Sequence, residues 1–180
     1  MLNIKFKDFL IESKEISISK LLERPKIFIM IIGGVASGKS HVQELYFSGL
    51  KLIDIDEYTK RESGGDFELA RKLVSKAIKN VEADLRKTFK SGQSVVNTGT
   101  GASVNGVINK FKWAKDAGFE TAIVFVDVPL KTALKRNNTR AASGERNLIP
   151  DYKVERTNKQ ARENFKIFKN IANFYMTIKT

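Results

Sequence analysis

Ile27-Phe28-Ile29-Met30-Ile31-Ile32 runs straight into Gly33-Gly34-Val35-Ala36-Ser37-Gly38-Lys39-Ser40, and this junction decides the fold. An unbroken run of apolar, mostly β-branched residues specifies a strand buried on both faces. The residues after it form a complete G-x-x-x-x-G-K-S loop, with helix expected from Lys39 to about Phe47. The glycines let the backbone curl so that successive N–H groups point inward, and the following helix offers its positive end to phosphate. Lys39 is suited to neutralise the β- and γ-phosphates, and Ser40 offers a hydroxyl to Mg2+. Gly33 to Ser40 thus read as a site for a nucleoside triphosphate, with ATP and Mg2+ as the expected cofactors. His41 is grouped with the loop because it follows directly, although a lone histidine there also reads as an ordinary exposed helix residue.

Outward from the loop, strands alternate with helices. A second strand is expected over 50–55, a long amphipathic helix over 66–90 closed by Gly92, and a third strand over 93–97. Helix follows over 104–117 with a stop at Gly118, then a fourth strand over 121–128, then a helix opened by Pro129. A last helix runs from about 150 to 171, and 174–178 can supply a fifth strand. Apolar strands alternating with helices imply a mostly parallel sheet covered on both faces. The expected fold is α/β, a three-layer P-loop NTPase domain with a basic lid. Residues 1–25, ending at Pro25, read as a helical extension packed on a domain spanning 26–180.

Cysteine is absent and His41 is the single histidine, which excludes disulfide frameworks, thiol nucleophiles and Cys/His zinc sites. No apolar run reaches the length of a signal sequence or membrane span, so the expectation is a cytoplasmic protein without a membrane partner. The formal charge is +12. Its surplus concentrates late in the chain, where residues 131–170 hold 11 cations against 4 carboxylates. Such a surface attracts polyanions, nucleic acid above all, although a lysine-coated solvated face would look the same. Nothing in the sequence specifies an oligomeric state.

In a parallel α/β sheet the ligand lies at the carboxyl ends of the strands. The second strand ends Ile53-Asp54-Ile55-Asp56-Glu57-Tyr58, which places carboxylates beside the phosphate loop. Transfer of a phosphoryl group to an alcohol needs a carboxylate that orients the hydroxyl and accepts its proton. Asp56, farther out if the strand continues through both aspartates, is the candidate base, and the alternative is that it caps a helix beginning at Glu57. Asp54 is then a partner of Mg2+ or of Lys39. Arg136 and Arg140, four apart, share a helix face and can clamp one phosphate chain, or form a solvated basic face. Ala141 to Asn147 reads as a mobile lid. Asp127 is an alternative magnesium ligand, but Val128-Pro129 follows it in place of a second acid.

At these residues the chain resembles the P-loop kinase group that contains phage polynucleotide 5′-kinase and the zeta-toxin-like kinases. Gly33 to Ser40, Ile53 to Tyr58, and Asp127-Val128-Pro129 with Lys135-Arg136-Asn137 and Arg140 occur in the family's order over roughly 26–172. The resemblance implies that Asp56 is the general base and that Arg136 and Arg140 contact the donor phosphates. Where the polynucleotide enzymes hold the acceptor with an arginine, this chain has Thr59 followed by Lys60 and Arg61. Where the nucleotide-sugar kinases have a glutamate, it has Asn97-Thr98-Gly99. Asp54, Lys60, Arg61, Asn97 and Thr98 are the candidate acceptor contacts. The leading expectation is a kinase for a nucleic-acid hydroxyl, either a 5′ end or a hydroxymethylated base. Its rivals are a kinase of a small nucleotide or nucleotide sugar, and a nucleotide-binding module or simple ATPase without an acceptor.

Overall fold

The computed structural model describes residues 12–64, 66–145 and 147–180. Strand β1 (Lys14–Glu15) and helix α1 (Ile18–Leu22) precede the central strand β2 (Ile27–Ile32), which leads through the glycine loop into α2 (Lys39–Phe47). Then come β3 (Lys51–Asp54), α3 (Ile55–Ser63), α4 (Phe67–Ser91), β4 (Val95–Gly99) and α5 (Val104–Asp116). β5 (Glu120–Asp127), α6 (Leu130–Ala142), α7 (Asp151–Phe168) and β6 (Phe174–Lys179) complete the order.

The sheet runs β1-β6-β5-β2-β4-β3, and every pairing is parallel. Parallel neighbours require crossovers, and the helices supply them. After β2 the chain builds β3 and β4 on one side, then crosses to build β5 and β6 on the other. The glycine loop therefore leaves the sheet at its topological switch point, where α/β sheets open a crevice for ligand.

Alternation along β2 divides the core. Phe28, Met30 and Ile32 pack with α4, α5 and α7, whereas Ile27, Ile29 and Ile31 pack with Leu21 of α1 and with Val42 and Phe47 of α2. A third small cluster, Ala36, Val128, Ala133 and Val154, joins the loop to α6 and α7 at the carboxyl edge. The α/β fold, with three layers and a parallel sheet, is the one expected.

Several boundaries differ from expectation. The third strand lies two residues later, at 95–99, because the β2–β4 ladder pairs Ile32 with Gly99. The second strand stops at Asp54, where α3 begins, so Asp54 and Asp56 do not share a strand. Of the expected helical extension, residues 1–11 lie outside the described residues. Residues 14–15 instead form an edge strand on β6, and the helix that follows has only five residues. Of the expected lid over 141–147, Arg146 lies outside the described residues; α6 carries its start to Ala142 and turns at Gly144.

Phe28 is fully buried and meets both Phe89 and Phe111 edge-on, with ring centroids 5.2 and 5.8 Å away. Phe28→Ala is expected to lower unfolding free energy by about 3–5 kcal/mol, measured by urea denaturation.

Candidate active site

The loop between β2 and α2 is held from outside by its carbonyl oxygens. Arg136 Nη1 donates to Ser37 O at 3.2 Å, and the Thr180 hydroxyl donates to the same oxygen at 2.9 Å. Arg136 also donates to Thr180 Oγ1, while Thr180 N donates to Asp127 O at 3.0 Å and so ties this latch to the end of β5. On the other flank, Asn158 Nδ2 donates to Val35 O at 3.2 Å and Val35 N donates to Thr157 Oγ1 at 3.1 Å. Lys39 Nζ donates to Gly33 O and Gly34 O, at 3.0 and 2.9 Å.

These contacts explain the sequence locally. A Cβ on Gly34 would come within 2.3 Å of the Asn158 side chain, so the close approach of α7 requires glycine. Gly38 sits at φ 97° as N-cap of α2, a left-handed conformation that favours glycine, and Ala36 also has positive φ, 58°. Ser37 Oγ is buried beside Gly33 and has no hydrogen-bond partner among the described residues. A buried hydroxyl in the loop, together with a helix start, suits an anionic group, so the residues present fit a triphosphate. Ser40 and His41 are exposed on the first turn of α2.

Beside the loop, β4 organises the end of β3. Asp54 is the N-cap of α3 and accepts from Asp56 N at 2.6 Å, and its other oxygen accepts from the Thr98 hydroxyl. The capping role considered for Asp56 thus belongs to Asp54, because β3 ends two residues earlier than a continuous strand through Asp56 would need. Asp56 lies exposed in the first turn of α3. Asn97 is buried, donating to Ile53 O at 2.6 Å and accepting from Lys110 Nζ at 2.8 Å. Burial lowers the pKa of Lys110, partly countered by Glu82. Lys60 and Arg61 line an open cavity of about 500 Å3 with Glu57 and Gly64, and the Arg61 guanidinium lies 4.7 Å from the centre of the Tyr58 ring.

Arg140 pairs with Glu145 at 3.8 Å, so the two arginines of α6 have different partners. Asp127, at the end of β5, accepts from Arg162 Nε at 2.9 Å, and Arg162 Nη2 also holds Val128 O at 2.7 Å. Sequence reasoning missed Thr157, Asn158, Arg162 and Thr180. Asn158 left a signal, a polar residue within the apolar stripe Val154, Ala161, Phe168. Among the described residues no cluster of three or more His, Cys, Asp or Glu could hold a metal.

A family model described as an AAA domain matches residues 28–165. No curated protein matches the sequence. Among solved structures, the chain is similar to a candidate kinase from Chloroflexus aurantiacus J-10-fl, at 18% identity and TM-score 0.66, over 88% of this chain and 87% of that one. It is also similar to a chain of the Pnkp1/Rnl/Hen1 RNA repair complex, at 16% identity and TM-score 0.65, over 80% of this chain but 46% of the other. A third similarity is to the PezAT chromosomal toxin–antitoxin system of Streptococcus pneumoniae, at 15% identity and TM-score 0.64, covering 90% and 74%. Identities this low establish a shared fold. The chain spans less than half the length of the RNA repair chain.

Two outcomes follow from this geometry. Gly34→Ala is expected to force Asn158 away from Val35 and to weaken ATP binding by at least about tenfold, read by titration calorimetry, in line with overpacking costs of roughly 1–3 kcal/mol. Tyr58 donates to Asp84 and its pKa is pushed up to about 12, first by burial and then by that hydrogen bond. A raised folded-state pKa stabilises fully below the unfolded value of about 10 and is lost as pH climbs through the folded one. Denaturation midpoints should fall between pH 10 and 12, and Tyr58→Phe should flatten that decline.

Proposed function

This chain belongs to the AAA domain family, whose model it matches over residues 28–165, and from that premise we propose that it is an ATP-dependent phosphotransferase acting on a hydroxyl of a nucleic acid. Its P-loop kinase-like fold is the frame. The observation that carries the reading is the loop itself, whose carbonyls at Gly33, Gly34, Val35 and Ser37 are all engaged by protein donors. Carbonyls turned and satisfied this way favour a loop that presents N–H groups to an anion, although Val35 N and Ser37 N are themselves engaged by Thr157 Oγ1 and Gly34 O.

In this reading Gly33 to Ser40 hold the triphosphate. Lys39, folded onto the loop carbonyls, is within the same loop as the phosphates it would neutralise. Mg2+ would be held by Ser40 and by the phosphates themselves, with Asp54 as a further candidate ligand, and it would neutralise charge on the transferred group; this suits an ion that keeps few protein ligands. Asp56 orients the acceptor hydroxyl and takes its proton as the oxygen bonds to the γ-phosphorus and the bond to the β–γ bridging oxygen breaks. Arg136, latched to Ser37 O, fixes the donor loop, and Arg140 supplies a cation for the developing charge.

A 5′-hydroxyl end or a hydroxymethylated base is the proposed acceptor. The charge of +12 supports a polyanionic acceptor, as do Lys60 and Arg61 on the open cavity that adjoins α3. The structural likeness to a component of an RNA repair complex is consistent with it.

Incubation with γ-labelled ATP and a panel of 5′-hydroxyl DNA, RNA, modified-base DNA and nucleotide sugars tests the reading, with label expected on a polynucleotide. Label on nucleotide sugars alone would replace the acceptor class, and hydrolysis without any labelled product would overturn transfer altogether. Asp56→Asn should lower turnover by about 10²- to 10⁴-fold while ATP affinity stays near the parental value. Unchanged turnover would remove Asp56 from the chemistry.

A further inference from the structure

Helix α7 has two working faces. Its inner face carries Val154, Ala161 and Phe168 into the core and holds the phosphate loop through Thr157 and Asn158. Its outer face carries Tyr152, Lys159 and Lys166 at intervals of seven residues, all exposed. Seven residues are close to two helical turns, so these side chains form one row with steps of about 10.5 Å. Beside the row lies a groove of about 360 Å3, whose walls include Leu130, Glu155, Lys159, Arg162, Glu163 and Lys166. Arg162 is engaged by Asp127, which leaves Lys159 and Lys166 as the other cations of the groove, with Arg156 also exposed on the helix.

We infer that this face is a track for a single-stranded nucleic acid, with Tyr152 as a stacking platform and Lys159 and Lys166 as backbone contacts. The inference rests on the nucleic-acid reading above and locates where that polymer lies. Tyr152 is 61% exposed, although a tyrosine on a purely solvated face gains nothing from water on both sides of its ring. An exposed aromatic in line with spaced cations is the combination that binds single strands without sequence preference, because every base has a π-face and every nucleotide a phosphate. Double-stranded nucleic acid offers the phosphates but no unstacked base for Tyr152. Glu155 and Glu163, on the same side of the helix, interrupt the positive row and favour contacts at separated phosphates over a continuous polycation sheet. Because the opposite face of this helix grips Val35, a strand on the track lies one helix diameter from the donor loop.

The test is binding of a fluorescent single-stranded oligonucleotide, followed by anisotropy across a salt series with the full chain and no ATP. In Lys159→Gln/Lys166→Gln the log–log salt slope should shrink by about 1.4, two phosphate contacts at roughly 0.7 each. Tyr152→Ala should weaken binding about tenfold, within the range seen when a stacking aromatic is truncated. ATP affinity should be unchanged in both, which also confirms folding. A control pair on α4, Lys72→Gln/Lys79→Gln, removes equal charge from another surface. Parental binding by the α7 variants, or equal loss from the α4 pair, overturns the track. Track-dependent binding with no transfer of label to any acceptor would uphold the track and overturn the transferase reading. Label on a small nucleotide with no oligonucleotide binding would do the reverse.

Discussion

A phosphate loop can aim N–H groups at an anion only while its carbonyls face elsewhere and are satisfied there, and the rest of this fold serves that constraint. Ser37 O is held by α6 and by the residue after β6, Val35 O by α7, and Gly33 O and Gly34 O by Lys39. Each neutral bond contributes about 1 kcal/mol net, and the bonds to charged donors about 1.5–3. Their larger effect is geometric, because a peptide whose carbonyl is pinned has its N–H pinned as well. The parallel sheet makes the arrangement possible by delivering β2, β5 and β6 side by side with their carboxyl ends on one edge. Val126 O lies close enough to Gly33 that a Cβ there would approach within 2.9 Å, so the sheet edge itself shapes the first glycine.

The proposed acceptor side is built by a different device. Nothing from α6, α7 or β6 is needed to set Asp56; its place follows from where β3 stops. Thr98 takes one oxygen of Asp54 and the amide of Asp56 takes the other, so the cap fixes the first turn of α3. One layer deeper, Lys110 orients the Asn97 amide, which binds Ile53 O and finishes β3. Tyr58 then fastens α3 to α4 through Asp84. The glycine loop and the first turn of α3 are therefore fixed by separate sets of contacts.

The glycine loop, the apolar strands and the periodicity of α4 were legible because each is a local pattern: a motif, an unbroken apolar run, or spacing on one helix with Asp66 before it and Gly92 after it. What was not legible depends on distant pairing. Whether Asp54 or Asp56 caps α3 is decided by Thr98, which lies 44 residues from Asp54. The loop clamps lie farther still, with Thr157 122 residues from Val35 and Thr180 143 from Ser37. No local pattern encodes such separations. Asn158 is the partial exception, since a buried asparagine on an apolar stripe must find a partner, though the sequence does not say which.

The two faces of α7 bring these themes together. The 18-residue helix carries the clamp on one side and the proposed track on the other. A polymer on the proposed track would lie against the same helix whose Asn158 donates to Val35 O. On the proposed reading, a hydroxyl presented by a chain would engage this protein at two points where a free nucleotide would engage it at one. Two moderate contacts joined by one chain raise the effective concentration of the second. The proposed track would give Lys159 and Lys166 an orienting role on one helix face, where a uniformly basic coat would hold an acceptor everywhere and orient it nowhere.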